Sequence, residues 1–548
     1  MSFGYALDRI SHIFHPDVEI TPLPSGITMK EVEIPMRDGQ QLKANLFLPE
    51  NPEKHSVVIC AHPYSKDILP KKGFLMNTLP IQYRVIRMSG KVSFSEGTSW
   101  EAPDPAFWVP NGYAVINIDL RGFFRSTDAA KEKPSIISDQ EAEDYYDAIQ
   151  WAAVQPWSDG NVGLCGVSYL CISQYKVAVL GPPNLKAIIP WEGFSDLYKD
   201  AARPGGIKDQ GFMKLWGESQ ADVHKEPLYE AMTTNELRNE FYISKVCNFK
   251  KITVPALVCM SYSDHGLHTQ GSLRFFREIS SKQKWLYTHR DGKWTRFYSE
   301  EAKALQLKFF NHFLKGKDNG MESVPKVHIE VNDTAHQFKV LEFQDPVYPV
   351  ASTKWSKLFL TGNGLVAAPS DDIVKKHVLN ETALFNHRFT NDTIVSGPMK
   401  LQLFVSSETL KDMNLFAFVK KYDANGTLVP FEGSLGYGLD VVTKGWQRVA
   451  VRKEYPSYTE EWDCDKPFDE IQLLSPNEIV KVTISLLPSC TLFKTGETME
   501  LGVQGKWMNP VGKLAVICDF EPTKESGYYS IHATHGDEHS FLFYGTLE

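Results

Sequence analysis

The stretch Val162-Gly163-Leu164-Cys165-Gly166-Val167-Ser168-Tyr169-Leu170 limits what this chain can become more than any other. Short apolar residues run into Gly-Val-Ser, and a helix is expected from Ile172 to Leu180, stopped by Gly181-Pro182-Pro183. Strand, sharp turn and helix in that order make a nucleophile elbow, which holds a serine at the top of a sheet with its hydroxyl exposed. Gly166 suits so tight a turn. The second glycine of the G-x-S-x-G pattern is missing, because Leu170 stands in its place. Taken alone, the fragment equally fits a buried strand end followed by a helix-capping serine, so its meaning depends on the rest of the chain.

Upstream, Val32 to Pro49 reads as two strands around the turn Arg37-Asp38-Gly39-Gln40, and Val57 to Cys60 as a third running into His62-Pro63-Tyr64. Ala114 to Ile118 is a further strand. Between it and the elbow, Ala142, Tyr146, Ile149 and Ala153 fall at helical spacing. Alternation of strands and helices predicts a parallel sheet covered on both faces. After the elbow come a strand at Leu185 to Ile189 and a segment, Phe194 to Lys250, that loses the alternation and reads as a helical lid. Strands resume at Ala256 to Met260 and Trp285 to Thr288, and a helix at Glu300 to Leu314 carries Leu305, Phe309 and Phe313 on one face. Beyond Gly320, short strands from Val327 to Val331 through Phe541 to Tyr544 are separated by Gly, Pro, Asn and Asp, the pattern of a jelly-roll β-sandwich.

A length of 548 residues requires more than one core. With 42% hydrophobic and 23% charged residues, the composition is that of a soluble globular protein. The net charge of -9, mixed along the chain, argues against a nucleic-acid surface and leaves small molecules as the expected partners. Asp8, Arg9 and His12 interrupt the N-terminal apolar residues, so no signal peptide is read there, and no apolar run is long enough to span a membrane. The eight cysteines form no C-x-x-C pair and no zinc spacing. Reduced thiols, a cytoplasmic location, no metal and no cofactor are expected; the oligomeric state is not fixed by the sequence.

A serine hydroxyl needs a base to attack a carbonyl and an acid to orient that base, and in a sheet of this type the partners follow in the order Ser, Asp or Glu, His. Asp264 lies just past the strand Ala256 to Met260, and His289 just past Trp285 to Thr288. His265 and His268 are rival bases, although they follow the earlier strand. Asp264 could also do no more than cap a helix beginning near Leu267. For the oxyanion, the elbow supplies the Tyr169 amide, and the loop after the third strand offers the Tyr64 phenol.

Asn45-Leu46-Phe47-Leu48-Pro49, His62-Pro63-Tyr64, Asp119-Leu120-Arg121-Gly122, Gln155-Pro156-Trp157-Ser158-Asp159-Gly160, Gly166-Val167-Ser168-Tyr169-Leu170 and Phe309-Phe310-Asn311-His312-Phe313-Leu314-Lys315-Gly316 together resemble the cocaine esterase and X-prolyl dipeptidyl-peptidase family of serine hydrolases. The resemblance implies an α/β plus all-β architecture: an α/β-hydrolase core at 1–193 and 251–320, a helical cap at 194–250 and a jelly roll at 321–548. It implies Ser168 as nucleophile, Asp264 as acid, His289 as base, and Tyr64 with the Tyr169 amide as the oxyanion hole. Cys171, often glycine in the family, and Ser261-Tyr262-Ser263, in place of Gly-Trp-Tyr, depart from the pattern close to the site.

The expected reaction is hydrolysis of an ester or amide through an acyl-enzyme, with Trp191 and Phe194 as pocket walls. A dipeptidyl-peptidase is the alternative, and it would need a carboxylate such as Glu192, Asp196 or Asp200 to pair with an α-ammonium group. An acyltransferase would use the same triad. A non-enzymatic binding protein is disfavoured because every expected catalytic residue type is retained.

Overall fold

The structure, a computed structural model, describes residues 11–74, 76–86, 90–129, 133–220, 224–369, 374–379, 381–433, 440–508 and 518–548. A large sheet begins with the hairpin Ile27–Pro35 and Gln41–Pro49, whose second strand runs antiparallel to Tyr113–Asp119. From there the sheet is parallel. Tyr113–Asp119 lies beside His55–His62, followed by Ser158–Val167, Leu185–Trp191, Ala256–Ser261 and Lys284–His289. The chain leaves His55–His62 toward one side, to Tyr113–Asp119, and returns to its other side with Ser158–Val167. This reversal opens a crevice at the carboxyl ends of the two inner strands, where both His62-Pro63-Tyr64 and Ser168 emerge.

Helices cover both faces, as the sequence pattern predicts. Asp139–Ala153 is capped by Ser138 and buries Ala142, Tyr145, Ala148, Ile149 and Ala152. Glu300–Phe313 packs so closely on the elbow strand that a Cβ at Gly163 would come within 2.8 Å of the Phe310 ring. The elbow helix starts at Tyr169, earlier than the expected Ile172, because it follows Ser168 directly.

The segment after Trp191 is irregular and helical, with Leu197–Ala202, Phe212–Ser219, Leu228–Thr234 and Glu240–Ile243 over the sheet edge. The C-terminal part is a sandwich. One sheet pairs Lys354–Thr361, Phe541–Leu547, Thr393–Ser406 and Val480–Phe493. The other pairs Thr382–Arg388, Thr498–Gln504, Asn414–Tyr422 and Thr443–Arg448. Their inner faces supply Leu401, Leu403, Val482, Ile484, Val419, Leu501 and Val503 to a second core.

One boundary differs from expectation. Val327–Thr334, read as the first sandwich strand, extends the catalytic sheet, with Leu286 opposite Val327 and Tyr287 opposite His328. It turns back antiparallel with Gln337–Phe343, and its far end meets the sandwich at Asn332 and Thr491. The alternation of Val327, Ile329 and Val331 marks a strand but not its neighbour, so the sequence could not say which sheet it would join. None of the eight cysteines forms a disulfide. Among the described residues, no helix is long and apolar enough to cross a membrane.

Candidate active site

Ser168 sits at φ 61° and ψ -114°, a left-handed conformation that a non-glycine residue rarely adopts. Its backbone N–H donates to the carbonyls of Trp191 and Glu192, both at 3.1 Å, which holds the turn against the next strand. A Cβ at Gly166 would lie 2.5 Å from that of Leu170. The elbow therefore has one indispensable glycine, and buried Leu170 packs over it where the commoner pattern has a second.

The imidazole facing this serine is His268. Its Nε2 is 3.2 Å from Ser168 Oγ, and its Nδ1 is 2.5 Å from Asp264 Oδ2. After strand Ala256–Ser261, the Asp264 carbonyl accepts from the amides of Leu267 and His268, so one tight turn sets acid and imidazole on the same side. Burial alone would push the Asp264 carboxyl up; Lys293 and His268 outweigh it and hold the group below the ordinary carboxylate range. His268 is held below the ordinary imidazole value by burial and then by Lys293, against the opposing pull of Asp264.

The expectation that His289 serves as base is corrected by this geometry. His289 ends its strand opposite Ser261, fully buried, with Nε2 3.0 Å from Glu192 Oε1 and its ring against Trp191 and Tyr287. His265 is turned toward the sandwich, donating from Nε2 to the Pro488 carbonyl at 3.0 Å. The spacing Asp264-x-x-x-His268 on a helical turn was the signal that could have singled out His268.

The Tyr169 amide is the first of its helix and has no intrahelical acceptor, so it points free into the elbow. The Tyr64 hydroxyl lies close to Ser168 and Trp216; burial, then Glu101, push its phenol far above the ordinary range. His62 fixes this loop: its Nδ1 accepts the Tyr64 amide at 3.3 Å while Nε2 pairs with Ser99 Oγ at 3.2 Å. Burial lowers His62 to about 3, so it stays neutral and keeps an acceptor for that amide.

The two expected wall residues part company. Trp191 is core, packed on Tyr287, His289 and Phe297, and lines nothing at Ser168. An aromatic ending a central parallel strand is buried from both faces. Phe194 lies parallel to the His268 ring, 6.4 Å away and inclined by 2°. The sequence reading missed Trp216, which the cap helix Phe212–Ser219 brings to 6.0 Å from the Tyr169 ring, with Phe212 stacked behind it. The Phe212 and Trp216 pair at i and i+4 was its trace. Also missed was Lys293, whose ammonium touches both Asp264 and His268.

All three carboxylates considered for an α-ammonium group are engaged. Glu192 meets His289, Asp196 meets Arg238 at 2.9 Å, and Asp200 meets Arg274 at 2.8 Å. Glu192, Cys259 and His289 offer possible metal-ligand atoms within 4.8 Å of one another, but they are fully buried and two of them already hydrogen-bond each other.

A strained serine at the crevice of a parallel sheet and an imidazole held by a carboxylate define an α/β-hydrolase, here joined to a β-sandwich. The family model for X-Pro dipeptidyl-peptidase (S15 family) matches residues 38–295, and that for the X-Pro dipeptidyl-peptidase C-terminal non-catalytic domain matches 319–509. A CocE/NonD family hydrolase from Staphylococcus aureus, known from its crystal structure, is 33% identical with a TM-score of 0.88, covering 98% of this chain and 100% of that one. The chain belongs to the CocE/NonD family of hydrolases. The cocaine esterase of a Rhodococcus species is 25% identical over 395 residues, 61% of this chain and 62% of that protein. An aminopeptidase from a Thaumarchaeota archaeon shares the fold, with 14% identity, a TM-score of 0.72, and coverage of 97% and 98%. The matches span between 32% and 64% of the length of the curated relatives.

Proposed function

We propose that this chain hydrolyses a carboxylic ester of a small molecule through an acyl-enzyme on Ser168, with His268 as base and Asp264 as its orienting acid. The observation that carries the reading is the continuous contact from Asp264 Oδ2 through His268 to Ser168 Oγ. His268 Nε2 accepts the serine proton as Oγ bonds to the substrate carbonyl carbon. The Tyr64 hydroxyl and Tyr169 amide donate to the oxygen that becomes negative. His268 returns the proton to the departing alcohol as its C–O bond breaks. Water then attacks the acyl-serine, losing a proton to His268, which hands it to Ser168 Oγ as the acyl C–O bond breaks and the carboxylic acid leaves.

An ester is favoured over an N-terminal dipeptide because Phe194 and Trp216 give the site aromatic neighbours, while Glu192, Asp196 and Asp200 are each already bound by a protein partner. Eight cysteines held as thiols rather than disulfides support placing the enzyme in the reducing cytoplasm. The test compares a p-nitrophenyl ester with a dipeptide p-nitroanilide, alongside fluorophosphonate labelling of the wild type and of Ser168→Ala. Ester turnover, with labelling lost in the variant, is expected. Faster release from the dipeptide substrate would overturn the choice of ester, and labelling that survives in Ser168→Ala would overturn the mechanism.

A further inference from the structure

Lys293 opens the short helix Lys293–Phe297 that follows strand Lys284–His289. Its side chain is 3% exposed, and its ammonium lies 2.7 Å from Asp264 Oδ2 and 2.9 Å from His268 Nδ1. The same Oδ2 is 2.5 Å from that Nδ1, whereas Oδ1 has no hydrogen-bond partner. One carboxylate oxygen thus serves two donors.

An ammonium has no lone pair and cannot accept the Nδ1 proton. If Lys293 donated to Nδ1, the imidazole proton would sit on Nε2, and His268 could not take a proton from Ser168. If Nδ1–H donates to Asp264, Nε2 is left bare toward the serine, and Lys293 stands alongside as a second donor to Oδ2. The shorter of the two Nδ1 contacts is the one to Asp264, which favours the second arrangement.

We propose that Lys293 is a positioning residue that pins the Asp264 oxygen orienting His268 and sets a fixed positive charge beside the imidazole. The proposal rests on the reading of Ser168, His268 and Asp264 as the catalytic group. The ionisable groups facing this cluster come from several elements. Asp264 stands on the turn after Ala256–Ser261, Glu192 after Leu185–Trp191, Glu101 before the helix Pro105–Trp108, and Tyr64 across Ser168. Glu192 is engaged by His289. Glu101 accepts from the Trp294 indole, and burial raises it to about 8, so near neutral pH it is mostly uncharged and leaves the lysine's charge in place. Burial opposes the charge on Lys293 itself, but Asp264, Glu192 and Glu101 outweigh it and raise its ammonium above the ordinary value.

The experiment is the pH dependence of kcat/KM on a p-nitrophenyl ester for the wild type, Lys293→Met and Lys293→Arg, with Ser168→Ala and His268→Ala as references. Removing a neighbouring positive charge favours imidazolium, so Lys293→Met should move the acidic limb upward by about one pH unit, and Lys293→Arg should restore it. An unmoved or downward-moved limb in a folded Lys293→Met overturns the role of Lys293. Should Lys293→Met fail to fold, NMR titration of His268 in the wild type decides: a midpoint at or above the ordinary imidazole value overturns the proposal. Activity retained in Ser168→Ala or His268→Ala overturns the catalytic reading and this proposal together, while inactive references with an unmoved limb overturn this proposal alone.

Discussion

Nε2 of His268 lies 3.2 Å from Oγ of Ser168 although a hundred residues separate them, while the carboxylate that holds the same imidazole is only four residues away. Asp264 and His268 thus arrive together on one turn, and Ser168 is brought to them by the sheet. The buried histidine on the following strand is bound to Glu192 instead.

This division predicts opposite phenotypes for two histidine variants. His268→Ala should lower kcat by about 10²- to 10⁴-fold, because it removes the base. His289→Ala should leave a buried Glu192 without its partner, costing about 3 kcal/mol or more of stability. The residual kcat of its folded fraction should exceed that of His268→Ala. Steady-state kinetics with thermal melts on both variants checks this, and the reverse ranking of kcat would restore His289 as base.

Tyr64→Phe removes one oxyanion donor and leaves the ring stacked on His62. A fall in kcat of about 10²- to 10³-fold is expected, with KM nearly unchanged, because the hydroxyl bonds most strongly to a charge that exists only in the transition state. Parallel losses in KM would show a ground-state contact instead.

Gly193 faces Cys171, and an added Cβ would lie 2.5 Å from its sulfur. Gly193→Ala should therefore destabilise the fold by about 1 to 3 kcal/mol through overpacking. Cys171→Ala in the same background should recover part of the loss by removing the sulfur. Denaturant melts of the single and double variants measure the coupling; additive losses would refute the contact as the cause.

Acid should unfold this protein earlier than its carboxylates alone require. Burial lowers both His62 and His265 to about 3, against an ordinary 6.5. The unfolded chain binds protons between those values that the folded chain excludes, so their contribution is complete above about pH 6.5 and declines as pH falls toward 3. Each buried imidazole costs about 1.4 kcal/mol for every pH unit within that window. Urea melts at pH 7 and pH 5 should show the loss, and His62→Gln should flatten the dependence.

The architecture was legible because its evidence is local. Strand runs such as Val57 to Cys60, the helix carrying Ala142 and Ile149, and the Gly166-Val167-Ser168 turn each follow from short-range spacing. The positions of Ser168 and Asp264 could be read for the same reason, each standing at a recognisable strand end. Which histidine faces Ser168 could not be read, because His265, His268 and His289 are equivalent as residue types near strand ends. Only the pairing of Ser261 with His289 and the turn at Asp264 decide which ring faces the serine. Trp216 was hidden because it reaches the site from the cap, where alternation gives no guide to position.

Strand Val327–Thr334 hydrogen-bonds the last parallel strand of the catalytic sheet along one side and meets the sandwich at its far end. A truncation or fusion junction placed near residue 320, where composition changes, would strip the hydrolase part of its border strand and leave Leu286 and Tyr287 as a raw, adhesive margin. Anyone seeking the catalytic half in isolation should carry the hairpin through Phe343 with it, because the seam of this molecule lies beyond that second strand.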